Sequence, residues 1–436
     1  MTSDRRLRLR YCSIKSPAFP VYKTYEIGYN TGERTLGRRA HMGKERIGIM
    51  GGTLDPIHDG HLRMAQCALQ RAELDRILML PSGNPPHKAG VTPADDRWRM
   101  LCAACAGIPG LEPCREEIDR TGTIYTVDTL SILKEKYPKA ELYYLIGADT
   151  LMELKRWREY GRVLELSRFL VCPRSSRYSQ DELEAERQRL RLLGGHISWL
   201  DMEPLDVSST QIRAALLSGQ DAPHLPLQVQ EYAQACGLYG ASPRIAEAAA
   251  WMPRLFGDLT AKRFAHTLAV AATARQLALR HGLDADRAEM AGLLHDCAKC
   301  MPLKDMQRLA RENRLTEDES LLESGALLHA IAGACKARLD YGMTDPVVLD
   351  AIRRHTTGAP GMSRLDMAVW LADAIEPTRA PYPLLEQLRE TAEVSLERAI
   401  LASMENTLAY VRKSGKSVHP ATMQTIQWLR TLPECQ

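Results

Sequence analysis

At 436 residues the chain exceeds one ordinary domain of about 100 to 200 residues, so two domains, each able to bury its own core, are expected. Hydrophobic residues at 45% and charged residues at 25% describe an ordinary globular chain, and no apolar run reaches eighteen residues, which excludes a membrane-spanning helix. The formal charge of +3 sits at the N-terminus: residues 1–44 hold ten Lys/Arg against three Asp/Glu, a balance of +7, so the remainder carries −4 and lacks the basic footprint of a nucleic-acid binder.

The arginine-rich leader shows no sustained helical or strand period and lacks the apolar core of a secretory signal. Residues 1–44 are expected to be a disordered or dispensable extension, with a targeting or nucleic-acid arm as the alternative, and a strand-first domain is expected to start after Met42 at KERIGIMGG. Eleven cysteines, an odd number scattered through apolar segments, fit reduced thiols in a cytoplasmic protein and not a disulfide framework. Two CxxC pairs, Cys102/Cys105 and Cys297/Cys300, lie about two hundred residues apart, in different expected domains, so buried thiols are favoured over a shared zinc site.

In residues 45–240, Ile47, Ile49 and Met50 predict a strand that runs into Gly51-Gly52-Thr53. From His61, HLRMAQCALQRAEL has helical periodicity and leads to a second strand, RILMLP, which makes a βαβ unit. Further strands are predicted at ELYYLIG and RFLVCP, giving a doubly wound parallel sheet of Rossmann-like α/β class whose ligands bind where strands end and helices begin. At that edge His58 and His61 share a helix face, and Gly60 between them is expected to let a phosphate approach the backbone.

The string GGTLDPIHDGHL resembles the GTFDPxHxGHL signature of the nucleotidyltransferase superfamily, with Leu54 in the usual Phe position. Its second half is matched by VSSTQIR, Val207 to Arg213, where Ser208 and Ser209 are expected to cap a helix facing the same triphosphate. Between them PPHK, DDRWRM, TGTIYTVDTL and GADTLMELKRW follow the order seen in bacterial nicotinate-nucleotide adenylyltransferases, and the likeness covers residues 46–239. The resemblance implies transfer of AMP from ATP to nicotinate mononucleotide, with Mg2+ accompanying ATP. It implies catalytic roles for His58, His61, Lys88 and Arg213, and ATP contacts from Gly51, Gly52, Thr53, Ser208, Ser209 and Thr210. Tyr125, Thr126, Asp149 and Trp157 are implied for the mononucleotide. Taken singly, Asp149 reads equally as a helix cap, Trp157 as core and Lys88 as a solvated loop charge.

After Tyr239 the break GASPR gives way to Ala, Leu and Arg with no strand-like run, so residues 241–436 are predicted to be all-helical. Candidate metal ligands are His266, the His295-Asp296 doublet, His329, His355 and Asp373. Adjacent residues on a helix point about 100° apart, so a doublet read as helical needs ligands from other helices to bracket an ion. The order resembles the all-α HD-domain phosphohydrolases that cut diadenosine tetraphosphate symmetrically. That likeness implies one metal on His266, His295, Asp296 and Asp373, and a second on His329 and His355 bridged through Asp296. Ala374 stands where the family commonly has lysine. Lys299 is a candidate phosphate contact, or a surface helix charge.

The expectation is a cytoplasmic bifunctional enzyme whose two metals in the HD half are iron, with manganese or zinc as alternatives. Its substrates would be ATP, nicotinate mononucleotide and diadenosine tetraphosphate, with no nucleic acid and no membrane as partner, and self-association into a homo-oligomer is left open. The alternative is an adenylyltransferase whose HD domain only senses a nucleotide.

Overall fold

The computed structural model describes residues 44–83, 90–173, 178–203, 205–220, 222–240, 242–413 and 418–436. The N-terminal leader and Lys88 lie outside the described residues. The first half alternates β1 (Arg46–Gly52), α1 (Asp59–Arg71), β2 (Arg76–Pro81), α2 (Ala94–Cys105), β3 (Leu111–Pro113), α3 (Thr126–Lys136), β4 (Glu141–Gly147) and α4 (Ala148–Glu153). It continues with α5 (Tyr160–Leu166), β5 (Arg168–Cys172), α6 (Gln180–Leu192), β6 (Ile197–Trp199), α7 (Ser209–Leu217) and α8 (Leu227–Ala235).

The strands form one sheet in the order β3-β2-β1-β4-β5-β6, and every pairing is parallel. Parallel strands covered by helices on both faces read as continuous apolar runs, which is why β1, β2, β4 and β5 were visible in the sequence. Their core includes Ile47, Ile49, Leu78, Leu80, Ile146, Phe169 and Val171, all buried. Strand order reverses between β1 and β4, so the loops leaving these neighbours diverge and open a crevice at their carboxyl ends.

From Ala248 onward the described residues form helices without strands. In order these are α9 (Ala248–Asp258), α10 (Ala261–Arg280), α11 (Ala285–Leu294), α12 (Leu303–Glu312), α13 (Glu319–Leu322), α14 (Gly325–Tyr341) and α15 (Pro346–Arg354). They are followed by α16 (Arg364–Ile375), α17 (Leu385–Val394), α18 (Leu396–Lys413) and α19 (Pro420–Leu429). Side-chain caps start several of them, as where Thr260 accepts from Arg263 N and Asp284 from Arg287 N. No described helix is long and apolar enough to cross a membrane.

The two halves meet through α2 and α8 against α10. Tyr232 of α8 packs edge-on to Phe264 of α10, with ring centroids 6.2 Å apart, and its hydroxyl donates to Asp96 of α2 at 2.7 Å. Leu227, Ala269 and Ala272 close an apolar seam beside them. Arg244, in the link between α8 and α9, pairs with Glu231 of α8 at 2.6 Å and with Glu289 of α11 at 3.3 Å. Arg275 reaches Glu289 from α10 at 2.9 Å. Both carboxylates are almost wholly buried, so each depends on these guanidinium partners. Burial, and the neighbouring Glu231 carboxylate, push Glu289 up to about 8.

Candidate active sites

A cleft of about 430 Å³ opens at the β1/β4 crevice, with Thr53, His58, His61, Thr126, Gly147 and Trp157 among its lining residues. Gly51 also lines it, and there a Cβ would stand 2.4 Å from the Tyr144 hydroxyl. His58 occupies the position before α1, with extended backbone, and its N–H donates to His61 Nδ1 at 3.3 Å. That bond places the proton of a neutral His61 on Nε2. The two rings lie 3.8 Å apart at 30°, so the imidazoles form a stacked pair at the helix mouth. Gly60 serves this packing more directly than an approaching phosphate, because a Cβ there would meet Val207 Cγ1 at 2.9 Å and the His58 ring at 3.0 Å.

The second signature half is bolted to the backbone of the first. Ser208 caps α7 by accepting from Gln211 N, Ser209 Oγ donates to Pro56 O at 3.0 Å, and Arg213 Nη1 donates to Asp55 O at 2.7 Å. Thr210 Oγ1 accepts from Arg213 Nη2 at 3.3 Å. Arg213 does not line the cleft that holds the two histidines; it borders an adjacent hollow with Thr92 and Tyr239. Asp149 lies in the first turn of α4, between the lining residues Gly147 and Thr150, and Gly147, not Asp149, is the cap position. Trp157 packs edge-on to Tyr144 at 5.8 Å while facing the cleft, so it is both core and wall. Tyr125 precedes α3 under the guanidinium of Arg158 at 4.7 Å, and its neighbour Thr126 is the one that lines the cleft.

Sequence reasoning missed three residues here. Glu117 lines the cleft with its carboxylate buried, accepts from Thr129 Oγ1 at 3.0 Å, and has its pKa raised by that burial. Arg97, 1% exposed, donates to the carbonyls of Thr92, Thr53 and Gly83 at 2.9, 2.8 and 2.9 Å, tying together the loops after β1 and β2. Tyr239 donates to Asp55 Oδ1 at 2.9 Å from the end of the sheet-bearing half. The signal available was DDRWRM itself, whose arginine cannot be read as buried without the loops it serves.

In the helical half all six expected ligands converge. His266 Nε2 is 3.0 Å from Asp373 Oδ1, His329 Nε2 is 3.1 Å from Asp296 Oδ1, and His329 and His355 Nε2 atoms are 3.0 Å apart. The donor atoms fall into three overlapping groups, each within 4.8 Å: His266, His295 and Asp296; His295, His355 and Asp373; and Asp296, His329 and His355. Asp296 joins the first and third groups, the placement expected of a bridging carboxylate.

The His-Asp doublet is not on a helix, as the sequence reading supposed: α11 ends at Leu294 and His295 is its C-cap. His355 likewise caps α15. Each turns its Nδ1 back to the carbonyl three residues earlier, Gly292 O and Ile352 O, at 2.7 Å, which breaks the helix and aims Nε2 inward. Two helix C-termini, with their partial negative charge, thereby face the same cluster.

The donors suit a divalent cation. His295 Nε2 is buried with no hydrogen-bond partner, and its closest acidic neighbour, Asp296 Oδ2, is 3.5 Å away. Burial raises the Asp296 carboxyl, but the imidazoles of His295, His329 and His355 outweigh it and hold it far below the usual range. Burial pushes His329 down to about 4 despite Asp296, with His355 and Lys299 adding to the effect, so its imidazole is neutral as a ligand must be. Lys299 Nζ stands 3.2 Å from His329 Nε2, Arg263 Nη1 2.8 Å from Asp296 Oδ2, and Arg379 pairs with Asp373. Lys299 is thus a half-buried neighbour of the ligands and not a surface helix charge. No cysteine belongs to these groups among the described residues; Cys102, Cys105 and Cys297 are buried, and burial pushes the thiols of Cys102 and Cys105 up to about 12.

Known proteins resemble parts of this chain and, in one relative, most of it. The cytidylyltransferase-like family model matches residues 49–215 and the HD domain model matches residues 263–378. A probable nicotinate-nucleotide adenylyltransferase of Desulfitobacterium hafniense is 39% identical over 198 residues, 45% of this chain and 96% of the relative. A crystal structure of a predicted HD superfamily hydrolase involved in NAD metabolism, from Clostridium acetobutylicum, is 34% identical, covers 42% of this chain and 95% of that one, and has a TM-score of 0.41. A probable nicotinate-nucleotide adenylyltransferase/Ap4A hydrolase of Mycoplasma genitalium is 30% identical over 380 residues, spanning 86% of this chain and 99% of the relative. With both halves matched in one relative along nearly its whole length, the chain belongs to the bifunctional nicotinate-nucleotide adenylyltransferase/Ap4A hydrolase family.

Proposed function

We propose that residues 45–240 transfer AMP from ATP to nicotinate mononucleotide and that residues 241–436 hydrolyse diadenosine tetraphosphate to two ADP. In the first reaction the mononucleotide phosphate, already an anion, attacks the α-phosphorus of ATP, the α–β bridging bond breaks, and pyrophosphate leaves. No general base is required, so positioning and electrostatics carry the rate. His58 and His61 meet the phosphates from the mouth of α1, Lys88 and Arg213 add fixed positive charge, and Ser208, Ser209 and Thr210 present the N-terminus of α7. Gly51, Gly52 and Thr53 line the approach for ATP, while Tyr125, Thr126, Asp149 and Trp157 hold the mononucleotide. Mg2+ accompanying ATP supplies further charge neutralisation.

In the second reaction His266, His295, Asp296 and Asp373 would hold one cation, and His329, His355 and Asp296 would hold another. Bound there, two cations such as iron, manganese or zinc supply Lewis acidity to water and to the polyphosphate. Lys299, Arg263 and Arg379 surround the ligands and offer positive charge to the phosphate chain. Asp296, already ionised, keeps the two cation positions together.

The observation that carries this reading is the Asp296 carboxylate lying between imidazoles of both groups, 3.1 Å from His329 and 3.5 Å from His295. Product analysis tests it. Incubation with ATP and nicotinate mononucleotide should yield nicotinate adenine dinucleotide and pyrophosphate, and nicotinamide mononucleotide should serve less well. With Mn2+ present, diadenosine tetraphosphate should yield ADP alone; binding of the tetraphosphate without ADP release would assign the helical half a sensing role instead.

A further inference from the structure

Four imidazoles reach the ligand cluster; two have the nitrogen remote from it held by a backbone carbonyl, and in His329 that nitrogen lies 3.3 Å from both a carbonyl and Lys299 Nζ. His295, His329 and His355 each place Nδ1 near the carbonyl of a residue three or four earlier, at 2.7, 3.3 and 2.7 Å. His266 differs. Its Nδ1 lies 3.0 Å from Oε1 of Glu376, a side chain 1% exposed and just beyond the end of α16, three residues after Asp373. The same carboxylate accepts from Thr378 Oγ1 at 2.9 Å and from Thr378 N, while Arg379 Nε is 4.0 Å away.

We propose that Glu376 is a positioning residue that fixes His266 as a metal ligand, by holding its proton on Nδ1 and presenting Nε2 to the cluster. This rests on the metal-site reading above. A neutral imidazole has one N–H and cannot serve two carboxylates, yet His266 stands between Glu376 on Nδ1 and Asp373 on Nε2. Arg379 pairs closely with Asp373 and only at 4.0 Å with Glu376, whose short contacts are with His266 and Thr378 in a site sealed from water. Glu376 therefore claims the proton, and the lone pair of Nε2 is left between Asp373 and the ring of His295, whose centroid is 5.7 Å from that of His266. A carboxylate on the far nitrogen also makes the imidazole a stronger donor than a backbone carbonyl does, and partners of this kind are worth about 10–100-fold in metal affinity. Glu376 adds a third negative charge to Asp296 and Asp373 without touching an ion, so its charge, more than its volume, is what the site requires.

The test is titration of the metal-free full-length chain with Mn2+, followed by calorimetry, for the parent and for Glu376→Gln, Glu376→Asp and His266→Ala. Hydrogen exchange across α10 and α16 monitors the fold. Glu376→Gln should weaken the tighter Mn2+ event by about 10–100-fold, and Glu376→Asp should recover most of that loss. Long-range nitrogen NMR of the metal-free protein should show the His266 proton moving from Nδ1 in Glu376→Gln. Unchanged affinity in Glu376→Gln, or equal losses in Gln and Asp, would overturn the proposal while a weakened His266→Ala keeps the metal site standing. Parent-like binding by His266→Ala would instead remove the metal-site reading on which the proposal rests.

Discussion

Replacing Arg97 by methionine keeps most of the buried stem and removes only the guanidinium. Three charge-assisted hydrogen bonds are lost, to the carbonyls of Thr53, Gly83 and Thr92, each worth roughly 1.5–3 kcal/mol. The losses are not additive, because the loops they join relax together, so a total of about 3–5 kcal/mol is expected. The guanidinium spans the loop that carries the DPIH motif and the one that follows β2, so the two segments proposed to meet the phosphates lose their common anchor. Arg97→Met should therefore lower kcat/KM for dinucleotide synthesis at least tenfold, about 1.4 kcal/mol in the barrier, and speed amide exchange near Thr53 and Thr92. Diadenosine tetraphosphate hydrolysis should stay within twofold of the parent, since the three guanidinium bonds of Arg97 go to carbonyls of the sheet-bearing half. Urea unfolding, exchange mass spectrometry and both activity assays decide it; parent-like stability and synthesis would refute the anchoring role.

His61→Ala should reduce synthesis by about two to three orders of magnitude and leave hydrolysis untouched, which parallel assays of one preparation will show. Asp296→Asn removes the carboxylate shared by two ligand groups, so metal analysis after chelator challenge should find neither ion retained and ADP release should cease, with synthesis unaffected. Glu289, raised to about 8, binds its proton in the folded chain between the ordinary carboxylate range and that value, while the unfolded chain does not. Its contribution is thus present at low pH and is lost as pH rises toward 8, by up to about 1.4 kcal/mol per unit in that window. Glu289→Gln should flatten the fall in urea midpoint between pH 6 and pH 8.5, and parallel slopes for parent and variant would count against protonation of buried Glu289.

Much of the fold was legible because buried parallel strands and helix caps leave local traces. RILMLP and RFLVCP carry their burial in composition, and in RHGLDAD the start of a helix at Asp284 follows a glycine break. The edge strands β3 and β6, three residues each, were not visible, since LEP and ISW are too short to show a period. In the sites, motif residues were named from the chain alone, but partners across the fold were not. Glu117, Arg97 and Glu376 are single charges whose meaning depends on Thr129, three carbonyls and His266 respectively. The His295 corner escaped for another reason: nothing in GLLHDCAK says that a ring nitrogen will take the Gly292 carbonyl and end the helix there.

Helix α10 faces two ways. One side delivers His266 to the ligand cluster, and another gives Phe264, Ala269 and Ala272 to the seam with Tyr232 and Leu227. Cutting the chain after Tyr239 would bare that strip and leave the released fragment with a greasy, self-adhesive flank. A free-standing version would have to repaint it with polar groups without disturbing the imidazole a turn away. The two catalysts are joined by a common wall as well as by a tether, and any attempt to exchange one for a foreign counterpart has to match that wall.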